Sequence, residues 1–207
     1  MITLYGHDLS GNAYKVRLLL ELLNLEYDYK QVDLMNGEHK QPAYLAINPF
    51  GQVPALVDGE VTLADAQGIL TYLARQYGGD TWRPTDSVSL GRVIRWLSTT
   101  AGEVRQGPEH ARLYHLFGVK TIDFQRAEEK SAMILKQLDD HLSTRTWLEF
   151  ERPTIADIAV FPYVALAPDG QISLDAYPHV LAWIERVKHL PGFIGMRSIN
   201  APATTAA

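Results

Sequence analysis

The hydrophobic pattern of this chain changes its period once, near residue 78, and that change restricts the fold more than any composition figure does. Before it, short β-prone runs alternate with helical ones. After it, only the helical spacing of about 3.6 residues persists. Ile2-Thr3-Leu4-Tyr5, ended by Gly6, reads as a strand. Val16, Leu19, Leu20 and Leu23 recur at helical spacing and predict an amphipathic helix over residues 12–24. Residues 27–34 alternate and are rich in aromatic and β-branched side chains, so they predict a second strand and a βαβ unit. A polar stretch and a short helix near residues 42–47 follow. Residues 54–57 and 61–63 flank Asp58-Gly59-Glu60, a strong hairpin signal. Asp65 then opens a helix with Ile69, Leu70, Leu73 and Tyr77 on its apolar face. The expected order is βαβαββα, a mixed four-stranded sheet with helices.

Gly78-Gly79-Asp80 ends that helix, and residues 78–86 read as a linker between a first domain at 1–77 and a second at 87–200. In the second, Val93, Trp96 and Leu97 share one helix face, as do Leu135, Leu138 and Leu142, so an all-α bundle is expected. Gly107-Pro108 reads as a helix break. Thr154-Ile155-Ala156-Asp157 fits a capping box in which Asp stands for the usual Glu or Gln. A last helix is expected over residues 177–188, stopped by Pro191-Gly192, with a frayed Ala/Thr tail at 201–207.

Composition removes several function classes. Hydrophobic residues at 46% and charged residues at 21% argue against disorder. Basic residues are scattered in a chain of net charge −5, so no nucleic-acid partner is expected. No apolar run approaches the roughly 20 residues of a membrane span. The first residues lack the basic start and apolar core of a signal peptide, so a cytoplasmic protein is expected. There is no cysteine, which excludes disulfides, thiolate metal sites and thiol chemistry by the protein itself. His7, His115, His141, His179 and His189 show no metal-ligand spacing, so no metal and no cofactor is proposed.

The sharpest local feature is Asn48-Pro49-Phe50-Gly51-Gln52-Val53-Pro54-Ala55-Leu56. A proline opening a strand donates no ladder hydrogen bond. If the Val53-Pro54 bond is cis, the Val53 backbone is free to pair with an extended peptide as an added strand. Otherwise Pro54 is a trans edge-strand proline. With the upstream Gly37-Glu38-His39-Lys40-Gln41-Pro42, the downstream Asp65-Ala66 and the later Pro153-Thr154-Ile155-Ala156-Asp157-Ile158-Ala159, the whole chain resembles the cytosolic glutathione transferases, most closely the phi-like and related bacterial serine-type classes.

The resemblance implies a thioredoxin-like first domain, a helical second domain and a homodimer. It implies that Val53 pairs with the cysteinyl backbone of glutathione beside cis Pro54. His39, Lys40 and Gln52 then meet the glycine carboxylate, and Asp65 and Ala66 hold the γ-glutamyl end. The chemistry suits those roles: Lys40 supplies charge for a carboxylate, Asp65 for an ammonium, and a helix N-terminus favours the neighbouring carboxylate. Alternatively, His39-Lys40 is a solvated loop and Asp65 a plain helix cap. The family has Glu-Ser where this chain has Asp65-Ala66, which removes one hydroxyl hydrogen bond of about 0.5–1.5 kcal/mol.

Ser10, in the loop before the first helix, is the leading candidate for activating the glutathione thiol, with Asn12 or Tyr5 behind it; Ser10 as a simple cap is the plainer reading. A second-substrate site is expected between the halves, against Leu9, Glu103, Arg105, Gln106, His110, Tyr114 and Phe117, unless Tyr114 and Phe117 are core and Arg105 is surface. The function so read is a glutathione transferase acting on a small electrophile. A glutathione-dependent peroxide or disulfide reductase, and a binding protein without catalysis, remain alternatives.

Overall fold

The computed structural model describes residues 1–200; the tail read at 201–207 lies outside the described residues. Four strands, β1 (Ile2–Gly6), β2 (Tyr27–Gln31), β3 (Ala55–Asp58) and β4 (Val61–Ala64), form one sheet in the order β2-β1-β3-β4. β1 runs parallel to β2 and antiparallel to β3, and β3 runs antiparallel to β4. The sheet is mixed, as expected. β2 stops at Gln31, three residues short of the expected end, because Asp33 leaves the ladder: its N–H donates to Glu38 Oε2 at 2.6 Å.

Helix α1 (Gly11–Leu22) starts at Ser10, whose hydroxyl accepts the Ala13 N–H. A 3₁₀ turn at Glu38–Lys40 and α2 (Pro42–Leu45) lead to the strand-opening proline. Helix α3 (Ala66–Leu73) is capped by Asp65, and a π turn at Ala74–Gly78 joins it to α4 (Gly79–Trp82). Tyr77, placed on the apolar face by its spacing, is instead 40% exposed, because the π turn rotates it outward to Asp58, whose carboxylate takes its hydroxyl.

The remainder is helical: α5 (Ser87–Thr99), a π-helical stretch (Thr100–Glu109), α6 (His110–Leu116), α7 (Phe124–Leu142), α8 (Ile155–Ala165) and α9 (Pro178–Lys188). The break expected at Gly107-Pro108 does not occur. The chain stays helical from Ser87 to Leu116, and Pro108 sits inside the wider π stretch. Gly107 is pressed against α7, where a Cβ would come within 2.8 Å of the Ser131 nitrogen. Thr154 and Asp157 form the expected capping box, and Asp157 also takes the Leu148 N–H and the Trp183 indole N–H.

One core joins the two halves. Leu4 and Leu56 of the sheet, Val16 and Leu19 of α1, and Ile69 and Leu73 of α3 continue into α8 at Ile158 and Phe161. A smaller cluster of Val32, Tyr44 and Ala55, with Tyr5 packed on it, lies beneath the α2 segment. Tyr5 meets Tyr44 edge to face there, at 6.3 Å between centroids. Among the described residues no helix is long and apolar enough to cross a membrane.

Candidate active site

Strand register brings three distant segments to one end of the sheet. Tyr5 pairs with Ala55, and Ala55 pairs with Ala64. The residues just beyond those pairs are the loop leading to Ser10, Val53-Pro54 and Asp65-Ala66. The Val53-Pro54 bond is cis. Within the described residues, neither the Val53 N–H nor its carbonyl forms a hydrogen bond, so the backbone just ahead of β3 is open.

The turn preceding that open backbone is held from within. Asn48 is 2% exposed; its amide donates to the Gln52 carbonyl at 2.7 Å and its oxygen accepts the Phe50 N–H at 3.1 Å. The Tyr44 hydroxyl donates to the same carbonyl at 2.7 Å. The Gln52 side chain is left exposed. Gly51 has φ of 55°, and a Cβ there would lie 2.7 Å from the His39 carbonyl, so this position requires glycine. Lys40 Nζ donates to the Gly51 carbonyl at 2.7 Å, which fastens the 3₁₀ turn to the Gln52 turn and leaves ammonium protons for another acceptor. His39 is held below the usual imidazole range by burial and by the neighbouring Lys40, so at neutral pH it is an uncharged hydrogen-bonding group.

Asp65 and Ser10 stand at the starts of α3 and α1. Asp65 Oδ1 accepts the Gln67 and Gly68 N–H groups at 2.9 and 3.0 Å. The residue is exposed, and its φ of 71° lies in a region that non-glycine side chains rarely adopt. Ala66 is buried beside it. Ser10 Oγ accepts the Ala13 N–H at 3.2 Å, so its own proton is not committed to the cap.

The helical half touches the same loop at three points. Arg112, buried, donates from Nη1 to the Leu9 carbonyl at 2.8 Å and from Nε to Asp169 at 2.9 Å. The Tyr163 ring lies against Gly11, where a Cβ would come within 2.9 Å of it. The Asn12 amide points to Glu109 Oε1 at 3.5 Å, so its side chain faces the helical half. Arg112, Glu109 and Tyr163 were not among the residues expected at the site.

The expected second-substrate residues divide. Gln106 and His110 line a cavity of about 270 Å³ with Thr121, Ile122, Asp123 and Arg126. Burial and then Arg105 hold His110 below the usual imidazole range. Arg105 is exposed and does not line that cavity. Tyr114 stacks on Phe124 at 5.2 Å and carries Lys120 over its ring, so it belongs to an aromatic cluster between α6 and α7. Phe117 lies under the Arg112 guanidinium, and Glu103 is exposed.

This is a mixed sheet that presents an open stretch of backbone ahead of β3, a capped helix start on either side of it, and a helical half closing over one of them. Comparison with known proteins agrees with that class. Residues 1–75 match the family model for the glutathione S-transferase N-terminal domain, and residues 108–191 match that for the C-terminal domain. The chain is 31% identical over 204 residues to glutathione S-transferase 3 of Zea mays, covering 93% of this chain and 91% of that one. A glutathione S-transferase structure from Pseudomonas fluorescens superposes with a TM-score of 0.88 at 29% identity, over 94% of this chain and 98% of that one. A possible glutathione S-transferase from Rhodopseudomonas palustris gives 0.84 at 33% identity, over 94% and 97%. The chain belongs to the glutathione S-transferase family.

Proposed function

We propose that this protein binds glutathione along the Val53 backbone edge and ionises its thiol with the Ser10 hydroxyl, for attack on a small electrophile. The carrying observation is the cap at Ser10. Because Oγ already accepts the Ala13 N–H, the hydroxyl proton is free to point outward and donate to a sulfur anion. A free thiol has a pKa of about 8.5, so only a few per cent is thiolate at neutral pH. Lowering it by about two units takes roughly 2.7 kcal/mol. One charge-assisted hydrogen bond plus the α1 dipole supplies that amount.

The remaining assignments follow the ligand's charges. Lys40, His39 and Gln52 meet the glycine carboxylate, with Lys40 as the cation. The free Asp65 Oδ2 takes the γ-glutamyl ammonium, and the α3 N-terminus at Ala66 takes the adjacent carboxylate. Asn12 is removed from thiol activation in this reading, since its amide faces Glu109. Gln106 and His110 are the second-substrate candidates that share a cavity. As in the family, the working form is taken to be a homodimer in the cytoplasm.

The test is a Ser10→Ala variant. It is expected to keep glutathione affinity within a few-fold and to lose the ultraviolet thiolate absorbance and at least about tenfold in kcat, the rate equivalent of roughly 1.4 kcal/mol. An unchanged kcat removes Ser10 from this role. Rates with an aryl halide, an organic hydroperoxide and a disulfide then separate transfer to carbon from reduction.

A further inference from the structure

Lysine is almost never fully buried without a partner, yet Lys15 is 0% exposed and its ammonium makes no hydrogen bond with the described residues. It lies on α1 one turn after Gly11 and on the face of Asn12. Helical side chains lean toward the N-terminus, so its chain reaches back toward the first turn. The Tyr163 ring centroid is 5.3 Å from its Nζ, and that same ring rests on Gly11. Across the junction stands Glu109, 8% exposed, which takes the Asn12 amide. The charged groups facing this pair are Asp65 ahead of α3, Arg105 in the π stretch and Arg112 on α6, with the Tyr163 hydroxyl on α8.

An apolar pair of similar volume would be cheaper to bury than these two charges. Their place under the loop that carries Ser10 suggests what they are kept for. We propose that Lys15 and Glu109 are positioning residues that set how far the glutathione thiol ionises at Ser10, Lys15 favouring the anion and Glu109 restraining it. This rests on the reading of Ser10 given above. Neither residue touches the substrate; both act through field and through the first turn of α1. Burial lowers Lys15 to about 8, opposed by Glu109 and Asp65, so it is mostly cationic at neutral pH. Burial raises Glu109, opposed by Lys15 and Arg105.

A unit charge roughly 10 Å away at an effective dielectric of about 20 moves a pKa by about one unit. The experiment titrates the thiolate absorbance of bound glutathione in the wild type, Lys15→Met, Glu109→Gln and Ser10→Ala, with glutathione affinity measured in parallel. Lys15→Met is expected to raise the thiol pKa by about one unit and to lower kcat/KM about tenfold on the acid limb of the profile. Glu109→Gln is expected to lower the thiol pKa. Shifts of opposite sign from two neighbouring substitutions are not produced by loosened packing. Thiol titrations matching the wild type in both, or moving in the same direction, overturn the proposal while leaving Ser10 in place. A wild type without a thiolate band overturns the Ser10 reading itself and the proposal with it. Should Lys15→Met fail to fold, Glu109→Gln decides alone: a lowered thiol pKa supports the proposal, and an unchanged or raised one overturns it.

Discussion

The buried Lys15–Glu109 pair makes a stability prediction separable from catalysis. Burial lowers the Lys15 ammonium from 10.5 in the unfolded chain to about 8 in the folded one. Between those values the unfolded state binds the proton and the folded state does not, so stability rises with pH across that window. Below it, the cost of burying the cation is fully present; above it, that cost is gone. A difference of about 2.5 units at about 1.36 kcal/mol each gives roughly 3 kcal/mol. The perturbation is the double variant Lys15→Met/Glu109→Gln, in which neither position titrates. Burial raises Tyr27 and Tyr44 to about 12, and they titrate alike in both proteins, so they cancel in the comparison. The double variant is expected to match or exceed the wild type near pH 7.5. Its advantage should then shrink by about 3 kcal/mol toward pH 10.5. Urea unfolding reads this as a relative midpoint shift of about 1 M or more, for a slope of about 1–3 kcal/mol/M. A difference between the two proteins that stays constant through the window refutes the reasoning.

Asp65→Asn keeps a side-chain oxygen for the helix cap but removes the charge. Stability should hold within about 0.5 kcal/mol, while KM for glutathione rises about tenfold, the effect of losing roughly 1.4 kcal/mol of charge pairing; an unchanged KM makes Asp65 a cap alone. Gly170→Ala places a Cβ 2.6 Å from the Arg112 nitrogen and 2.8 Å from the Ala111 carbonyl carbon, both backbone. Thermal melts should show a loss of about 1–3 kcal/mol. Thr154→Ala removes the bond from the Ala156 N–H and should destabilise by about 1 kcal/mol with kcat/KM unchanged, as read by urea unfolding and turnover side by side.

What could be read in advance is what is local in the chain. The order of strands and helices along the first half follows from short alternating runs and a two-residue hairpin at Gly59-Glu60, and the capping box needs only residues 154–157. The segment proposed to face glutathione is nearly continuous, so the resemblance of residues 37–54 to the family can be seen in the sequence itself. Pro108 misled because a missing N–H usually ends an α-helix, whereas the π stretch absorbs it and lets Gly107 approach α7. Arg112 and Glu109 reach the Ser10 loop from about a hundred residues away, and Tyr163 from about 150. Nothing near them in sequence distinguishes them from an ordinary polar face or an ordinary core tyrosine. Lys15 did carry a signal, for it interrupts the stripe that includes Leu19. A cation at the edge of an apolar stripe is costly to bury, and the acidic residue that offsets part of that cost, Glu109, sits on the other half of the chain.

If Ser10 activates the thiol as proposed, the contacts on its loop make the helical half part of that site as well as a wall for the second substrate. β1 delivers the loop to the end of the sheet, but its conformation beyond His7 rests on few bonds within the first half: Ser10 N–H to the His7 carbonyl, and Leu9 N–H to His7 Nδ1. The Arg112 bond to the Leu9 carbonyl, the Tyr163 ring on Gly11 and the Glu109 contact with Asn12 all come from beyond residue 100. In the role proposed for Ser10, a cap that holds its hydroxyl toward a sulfur within a few tenths of an ångström needs such support from a packed neighbour. On the proposed reading, the open backbone at Val53 belongs to the sheet half, while the Ser10 loop that would activate the thiol is held largely by the helical half.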